Sequence, residues 1–526
     1  MATVLTASRS PLSLTTPRSP VPVLGVEGSR AEHRGLAFWM HRVLEELEKV
    51  RKSPDPDAVH DLRVAIRRCR SVAAVMEEVD QDSAWLEIRK VARKLFHGLG
   101  ALRDTQVMDE WVKKLGAEGD PLRGLLVASL DASENELRES ALRIAGKFDE
   151  KEWKRLERRL RQRARLVPAE GLAAECLALE RFEEAKELHA RALRTEKPKP
   201  WHALRIGLKR FRYTVEGLLP EHYAAWNANL KRMQDLLGEV HDLDVLSEMV
   251  GETGSPDITA SLDGWRERIA RERRERIDTY RHLTLGRTSL WNAWRHDLPH
   301  GERLEAAVMA RLRATARAAD ANPRRTAQVS RIALAVFDAL RRVNAGPVFH
   351  EPVMRRTLRA AAVLHGIGVG SRKLPAQKAA RQFLLDLCIP PHWTAEEWDL
   401  LAWTVRYHRG EEPKTRKGTF AKLGEEQQKA VLGLAGVLRL ARALRKCGVQ
   451  NTSGMRAEKS LDAVSLRMRG LPDSAETAAR LAAGKHLLEN YLEKPLILKS
   501  AGKTEIILTL PQQELEPQEV SSAASD

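Results

Sequence analysis

Two segments of the chain carry histidine, arginine and lysine at matching positions, and these residue types suit the binding of anions. Residues 60–70 read His-Asp-Leu-Arg-Val-Ala-Ile-Arg-Arg-Cys-Arg, and residues 202–212 read His-Ala-Leu-Arg-Ile-Gly-Leu-Lys-Arg-Phe-Arg. A guanidinium group binds phosphate oxygens through two parallel hydrogen bonds, and lysine binds them as a point charge. A protonated histidine donates from both ring nitrogens. The shared pattern, H-x-L-R-x-x-x-[RK]-R-x-R, therefore indicates a phosphate-rich ligand.

Each segment predicts an amphipathic helix with its cations on one face. At about 100° per residue, the cations of each copy fall within an arc of roughly 80°. They are His60, Arg63, Arg67 and Arg70 in one copy, and His202, Arg205, Lys209 and Arg212 in the other. A neighbouring apolar stripe is expected to be buried; it consists of Leu62, Ile66 and Cys69, and of Leu204, Leu208 and Phe211. Like charges at these spacings repel by a few tenths of a kcal/mol per pair, so a polyanion would stabilise two such faces brought together.

A second motif follows each basic segment, which indicates an internal repeat. Residues 99–107 read Leu-Gly-Ala-Leu-Arg-Asp-Thr-Gln-Val and match Leu-Gly-Glu-Val-His-Asp-Leu-Asp-Val at 237–245. A solvated basic face is the alternative for one helix, but the same face in two copies favours a binding surface. Asp104 and Asp242 follow a glycine, and we predict that they cap the next helices rather than act in catalysis.

These repeats resemble the CHAD family, the conserved-histidine α-helical domains. The resemblance covers residues 31–285, with repeats at about 31–165 and 166–285. It implies two pseudo-symmetric four-helix bundles with a basic surface between them that binds inorganic polyphosphate. Carried over by position, the binding residues are His60, Arg63, Arg67, Arg70, Arg93, His202, Arg205, Lys209, Arg212 and Lys231. The first copy departs from the family pattern at Arg103-Asp-Thr-Gln, where the family more often has Asp before the Val.

The composition agrees with a helical protein that has an anionic partner. The 526 residues carry a net charge of +16, and aromatic residues make up only 5%. The apolar residues are mostly Leu, Ala and Val, which favours an all-α fold over a β-sandwich. Four cysteines without a CxxC pair exclude a disulfide scaffold and a zinc knuckle, and a reducing, cytoplasmic location is expected, with association to polyphosphate granules. There is no apolar run long enough to span a membrane. Residues 1–30 are predicted to be a disordered tail, with a transit peptide as the alternative.

The second half resembles an HD-type helical domain, more narrowly the C-terminal domain of the exopolyphosphatase and guanosine-pentaphosphatase family. Leu-His-Gly-Ile-Gly at 364–368 and Val-Arg-Tyr-His-Arg-Gly at 405–410 carry the resemblance, which covers residues 303–497. Residues 286–302 are predicted to be a linker and 498–526 a tail, with a strand near 505–510. A working HD site holds divalent ions with His, His-Asp and Asp. Here Thr326, Gly366 after His365, and Arg442 stand at three of those positions, so we predict no metal, no cofactor and no hydrolysis.

Basic residues of the second half form a candidate secondary anion site, with a solvated face as an equal alternative. They are Arg372, Lys373, Lys378, Arg381, Arg406, His408 and Arg409. The alternative for His365 is a hydrogen-bonded histidine of the protein core. We therefore expect an all-α, non-catalytic protein that binds inorganic polyphosphate and targets to it or regulates enzymes acting on it.

Two other functions stay open. The first is a metal-dependent phosphohydrolase that uses His365 or His408. The second is a nucleic-acid-binding protein, for which the stripes lack a repeated aromatic platform. Trp201, Phe211 and Tyr213 lie near the second stripe, and the first stripe has no counterpart to Phe211 or Tyr213. Bases need stacking or edge contacts, whereas a phosphate polymer needs neither.

Overall fold

Helix start signals mark where the two basic helices begin. The Asp55 carboxylate accepts a hydrogen bond from the Ala58 N–H at 2.8 Å, directly before the first basic helix. Pro198 occupies the first turn of the second one, where proline has no intrahelical hydrogen bond to lose. The computed structural model describes residues 35–500 apart from 253–258, 321, 369–373 and 473.

The two repeats place their helices in the same order. The first repeat contains α1 (Leu36–Lys52), α2 (Pro56–Glu77), α3 (Ser83–Gly98), α4 (Gly100–Leu115), α5 (Pro121–Gly146) and α6 (Glu150–Arg163). The second contains α7 (Leu172–Ala192), α8 (Pro198–Leu218), α9 (Pro220–Glu252) and α10 (Thr259–Thr284). α1 packs on α2 and α2 on α3, just as α7 packs on α8 and α8 on α9. The first repeat has two more helices than the second: its chain breaks at Leu99, where α9 runs on without interruption for 33 residues, and α6 follows α5 as a separate helix.

The rest of the chain is also mainly helical. It contains α11 (Leu290–Asp297), α12 (Gly301–Ala319), α13 (Pro323–Arg342), α14 (Pro352–Leu364), α15 (Ala376–Asp386), α16 (Ala395–Tyr407), α17 (Glu425–Lys446) and α18 (Ala475–Leu492). A small sheet joins β1 (Arg456–Lys459) antiparallel to β2 (Val464–Met468), and β2 parallel to β3 (Leu496–Ser500). The all-α prediction is confirmed for the fold as a whole. Every helix in the described part of the chain is too short or too polar to span a lipid bilayer.

The sheet was not predicted from the sequence. Its strands have only four or five residues, and β1 reads Arg-Ala-Glu-Lys with no buried side chain. Val464, Leu466 and Met468 of β2 alternate with more exposed neighbours, as do Leu496 and Leu498 of β3. Such short alternations do not stand out among helices. The strand predicted near 505–510 lies outside the described residues, as does the predicted N-terminal tail.

The segment predicted to be a linker, 286–302, is instead part of the packed structure. It holds α11, whose Trp291 and Trp294 are 2% and 1% exposed. Trp291 packs edge-on against Phe182 of α7, with ring centroids 5.5 Å apart. Two buried tryptophans within the eight residues of α11 provide enough apolar contact to hold the segment against the core. The Gly and Pro residues on which the linker prediction rests lie only before and after this helix.

The second half packs directly against α7 through α12. The Arg303 guanidinium forms two hydrogen bonds with the Glu175 carboxylate, at 2.5 and 2.8 Å. Arg311 is fully buried, and its Nε lies 2.9 Å from Glu180 Oε1. The described residues from 35 onward accordingly pack as one compact unit.

Candidate functional site

The basic stripes of the two repeats line one cavity of about 880 Å³, because α2 and α8 pack against each other. Six of the predicted residues reach its wall. They are Arg63, Arg67 and Arg70 from α2, and His202, Arg205 and Lys209 from α8. The repeat thus brings two cationic faces together around a single space.

The apolar stripes hold these helices in place. Leu62, Ile66 and Cys69 of α2 are fully buried, and so are Leu204, Leu208 and Phe211 of α8, which confirms the predicted helix faces. Gly207 allows α8 to approach α7 closely, since a Cβ atom at this position would lie 3.5 Å from the Cα of Ala185 and 2.6 Å from Leu188 Cδ1. The buried stripes therefore fix the direction in which the cations point.

Phe96 of α3 organises the arginines of the first repeat. Its carbonyl accepts a hydrogen bond from Arg63 Nη1 at 2.9 Å. Its ring lies 4.3 Å from the Arg63 guanidinium carbon, and 5.8 and 5.0 Å from those of Arg67 and Arg70. Cation–π attraction of this kind offsets part of the repulsion between neighbouring guanidinium groups. The face of the ring is thus occupied by arginine.

A hydrogen bond joins the two repeats inside the cavity. Arg67 Nη1 of α2 donates to the Tyr213 hydroxyl of α8 at 3.2 Å. Tyr213 is buried and also lines the cavity. Its hydroxyl therefore orients a guanidinium group of the other repeat.

At the centre of the cavity three cations lack an ion pair, although Asp242 attracts two of them, Arg205 and Lys209, at longer range, whereas the cations of the rim are paired. Among the described residues, Arg70, Arg205 and Lys209 form no ion pair, and the Nε of Arg205 is buried without a hydrogen-bond partner. At the rim the cations are paired: Arg89 with Glu77, Arg181 with Glu78 and Glu184, and Arg210 with Glu184. Buried charges without partners are costly, so an anionic ligand in the centre would relieve a real electrostatic penalty.

This concentration of positive charge changes the acidity of the groups inside it. Burial, together with the nearby Arg205 and Arg67, lowers the pKa of Lys209 to about 6. Burial lowers the pKa of Arg63 to about 10, although Asp104 acts in the opposite direction. Burial and Arg205 lower the pKa of His241 to about 4. An anion placed here would favour the protonated forms and so bind together with protons.

Several residues of the cavity wall were not predicted. They are Arg89, Phe96, His97, Arg181, Arg210, Tyr213 and His241. His241 has a signal in the sequence, since it stands directly before Asp242 in the repeated L-G-x-x-[RH]-D motif, and its Nδ1 lies 3.2 Å from Nδ1 of His202. Arg181 comes from α7, outside both motifs, and only the packing of α7 against α8 brings it to the site.

Four of the predicted residues do not line the cavity: His60, Arg93, Arg212 and Lys231. Arg212 donates to the hydroxyl of Tyr223 at 3.2 Å. Lys231 and Arg93 are exposed on α9 and α3. Burial, Arg103 and Arg67 lower the pKa of His60, so it stays within electrostatic range of the cavity without forming its wall.

The prediction that Asp104 and Asp242 cap helices is wrong. α4 begins at Gly100, and Leu99 provides no side-chain cap; α9 passes through Asp242 without a break. Both carboxylates instead lie near the cations. Asp104 Oδ1 is 4.0 Å from Arg63 Nη2. Burial raises the pKa of Asp242, and the positive charges of Arg205 and Lys209 oppose this rise. The prediction assumes that a helix ends at the glycine of the motif, but Gly238 lies inside α9, which continues past it.

In the second half, the residues of the predicted degenerate site meet: Thr326 of α13, Arg442 of α17, and the histidines directly after α14 and α16. The rings of His365 and His408 are 5.3 Å apart. Arg442 Nη1 donates to the carbonyl of His408 at 3.0 Å, and the Thr326 hydroxyl donates to Asp320. Burial lowers the pKa of both histidines, that of His365 to about 4. In the described ranges, no group of three or more His, Cys, Asp or Glu side chains has an arrangement that could hold a metal ion.

The residues predicted to form a secondary anion site do not share one exposed surface. His408 is 2% exposed. Arg381 stacks on Trp403 at 3.8 Å and lies 3.5 Å from Asp399, while Arg406 lies 4.9 Å from its neighbour Tyr407. Lys378 is exposed and Arg409 is half-buried; Arg372 and Lys373 lie outside the described residues. Local packing therefore accounts for Arg381, Arg406 and His408.

Comparison with known proteins finds a family match in the first half of the chain. Residues 36–251 match the family model of the CHAD domain. The chain is also similar to the crystal structure of the CHAD domain from the plant Ricinus communis, with 22% sequence identity over 47% of this chain and 88% of that chain, and a TM-score of 0.38. A comparison with curated proteins finds no match.

Proposed function

We propose that the CHAD domain of residues 36–251 binds inorganic polyphosphate in the cavity between α2 and α8. The observation that carries this proposal is that Arg70, Arg205 and Lys209 lack ion pairs inside the cavity, while the cations of its rim have them. A chain of phosphates supplies the missing negative charge in a repeated form. Arginine forks bind its oxygens bidentately, and Lys209 adds a point charge.

The aromatic residues of the cavity favour a bare phosphate polymer over nucleic acid. Three guanidinium groups surround the ring of Phe96, and the hydroxyl of Tyr213 holds Arg67. Phe211 and Trp201 are fully buried. Single-stranded nucleic acid is normally held by bases stacked on accessible aromatic faces, and the aromatic side chains close to these stripes are already engaged.

The test is a binding measurement with long-chain polyphosphate at about 0.3 M salt, which suppresses non-specific attraction. A variant with Arg70→Gln, Arg205→Gln and Lys209→Met removes the unpaired centre. The matched control, Lys151→Gln, Arg161→Gln and Arg165→Gln, removes three basic side chains from exposed positions that do not line the cavity. We expect the first variant to lose at least tenfold in affinity and the control to bind like wild type. Equal losses, or displacement by transfer RNA as easily as by polyphosphate, would refute the proposal.

We further propose that the protein is non-catalytic and acts by localising to polyphosphate or by regulating enzymes that use it. The second half would then be a degenerate HD-like domain, a view supported by the meeting of Thr326, His365, His408 and Arg442. Arg442 would repel a divalent cation there. Release of phosphate from polyphosphate, measured with Mg²⁺ or Mn²⁺ added, is expected to stay at the level of the buffer. Release that depends on metal and disappears in His365→Ala would show a phosphohydrolase instead.

A further inference from the structure

A second cavity, of about 440 Å³, lies between α12, α13 and α14 in the second half of the protein. It shares no lining residue with the cavity between α2 and α8. Four arginines contribute to its wall: Arg313, Arg317, Arg331 and Arg359. Its volume lies within the range of sites for small organic molecules.

These arginines have little neutralisation within the protein. In the part of the chain that the structure describes, Arg313, Arg317 and Arg331 form no hydrogen bond and no ion pair, and Arg359 lies 3.8 Å from Glu305. The acidic side chain of the wall, Asp320, accepts hydrogen bonds from the Thr326 hydroxyl and the Asn322 N–H. Both donors are neutral, so the wall carries one carboxylate against four guanidinium groups and keeps a net positive charge.

The arginines also crowd one another. Arg313 and Arg317 are one turn apart on α12, and α14 brings Arg359 beside them. Burial lowers the pKa of Arg313, and the positive charges of Arg359 and Arg317 lower it further. Cations held together in this way bind an anion with several charges better than an anion with one, because each added charge relieves part of the mutual repulsion.

The remainder of the wall is aliphatic. It is formed by Ala316, Pro323, Ala327, Leu334 and Val363. None of the described residues that line the cavity is aromatic, so a planar base would find no stacking partner among them. A purely inorganic anion would leave this aliphatic surface in contact with water. A compact aliphatic group would cover it and gain the free energy of apolar burial.

We infer that this cavity binds a small phosphate ester that has at least two negative charges and a short aliphatic body. The arginines of α12, α13 and α14 would hold the phosphate, and the alanine, leucine and valine side chains would contact the body. The inference does not depend on the binding of polyphosphate between α2 and α8.

Calorimetric titration of the full chain with isopentenyl diphosphate tests the inference. Inorganic pyrophosphate has a similar charged group without the aliphatic body, and ATP has a phosphate chain with an aromatic base. Wild type is expected to bind isopentenyl diphosphate at least about tenfold more tightly than pyrophosphate or ATP, since burial of aliphatic carbons adds to the charge interaction. Similar affinities for all three would overturn the inference.

Two double variants locate the binding. Arg313→Gln with Arg331→Gln is expected to lose at least tenfold in affinity for isopentenyl diphosphate. Arg324→Gln with Arg341→Gln removes the same charge from exposed positions of α13 that do not line the cavity, and is expected to bind like wild type. Both should unfold at the same temperature as wild type, which shows that the second half is folded in each. Unchanged affinity in the first variant, or an equal loss in the second, would refute the assignment of the site.

Discussion

Arg67 on α2 and Tyr213 on α8 are 146 residues apart in the chain, and they form a 3.2 Å hydrogen bond inside the cationic cavity. The bond is a direct polar contact between the two repeats. Tyr213 has no counterpart among the shared residues of the two motifs, because Ser71 stands at the matching position of α2. The two halves of the cavity are therefore not equivalent, and one repeat orients a cation of the other.

Tyr213→Phe is expected to weaken polyphosphate binding by about two- to tenfold, the range that corresponds to one lost hydrogen bond. The reason is that Arg67 would lose the group that orients it. Tyr223→Phe is the matched control, since the Tyr223 hydroxyl accepts an equivalent bond from Arg212, which does not line the cavity. Binding titrations at constant salt measure both. Equal effects of the two substitutions would mean that Tyr213 has no specific role.

Polyphosphate affinity is expected to fall as the pH rises from 7 to 9. Burial and the neighbouring arginines lower the pKa of Lys209 to about 6 in the free protein, and a bound phosphate would raise it, so binding takes up a proton in this window. The change has an upper limit of about tenfold per pH unit for one proton. Lys209→Arg keeps its charge through this range and should give a flatter profile. A slope that is the same in wild type and Lys209→Arg would assign the proton to another group.

Lys209→Met is expected to stabilise the unliganded protein while it weakens binding. Because the pKa of Lys209 is lowered from 10.5 to about 6 on folding, the unfolded chain binds more protons between these values, and the stability of wild type rises with pH there. The gain from Met should therefore be about 1 kcal/mol or more near pH 6.5 and become smaller towards pH 9. Denaturant unfolding at both pH values measures it. A gain that grows with pH would contradict the expectation.

Arg311→Met is expected to lower the free energy of unfolding by about 3 kcal/mol, because it leaves Glu180 buried without its cation. Arg311→Met combined with Glu180→Leu should recover most of this loss, since both charged groups are then gone. Denaturant unfolding of the single and double variants gives the comparison. If the double variant were no more stable than the single one, shape and not charge would dominate at this contact between α7 and α12.

Gly366→Ala is expected to destabilise the second half by about 1–3 kcal/mol. A Cβ atom at this position would lie 2.5 Å from Asp320 Oδ2 and 2.6 Å from Thr326 Oγ1. Gly124→Ala in α5 is the control, because a Cβ atom there meets nothing within 4 Å. Alanine gives the unfolded chain less backbone freedom than glycine, so this substitution should stabilise the folded protein by about 0.5–1 kcal/mol. Thermal unfolding distinguishes the two. A stabilised Gly366→Ala variant would mean that Asp320 moves aside readily.

The sequence predicts helix faces well and their surroundings poorly. The positions of Arg63, Arg67, Arg205 and Lys209 followed from the helical period, which depends only on local geometry. Phe96 and Arg181 could not be found in this way, because they reach the cavity through the packing of α3 and α7, and packing between distant segments leaves no periodic signal. The predicted capping role of Asp242 is wrong for the opposite reason. Gly238 has a local tendency to end a helix, but tertiary packing keeps α9 helical through both residues.

The close packing around Gly366 also limits which substitutions this position tolerates. An acidic side chain at residue 366 would have to share its space with Asp320 and Thr326, and its carboxylate would approach that of Asp320. A single substitution that places an acid directly after His365 would therefore bring two carboxylates together, unless a second change removes Asp320. With Asp320 and Thr326 in this space, a metal site built on an acid at residue 366 would have to be reached through at least one less stable intermediate.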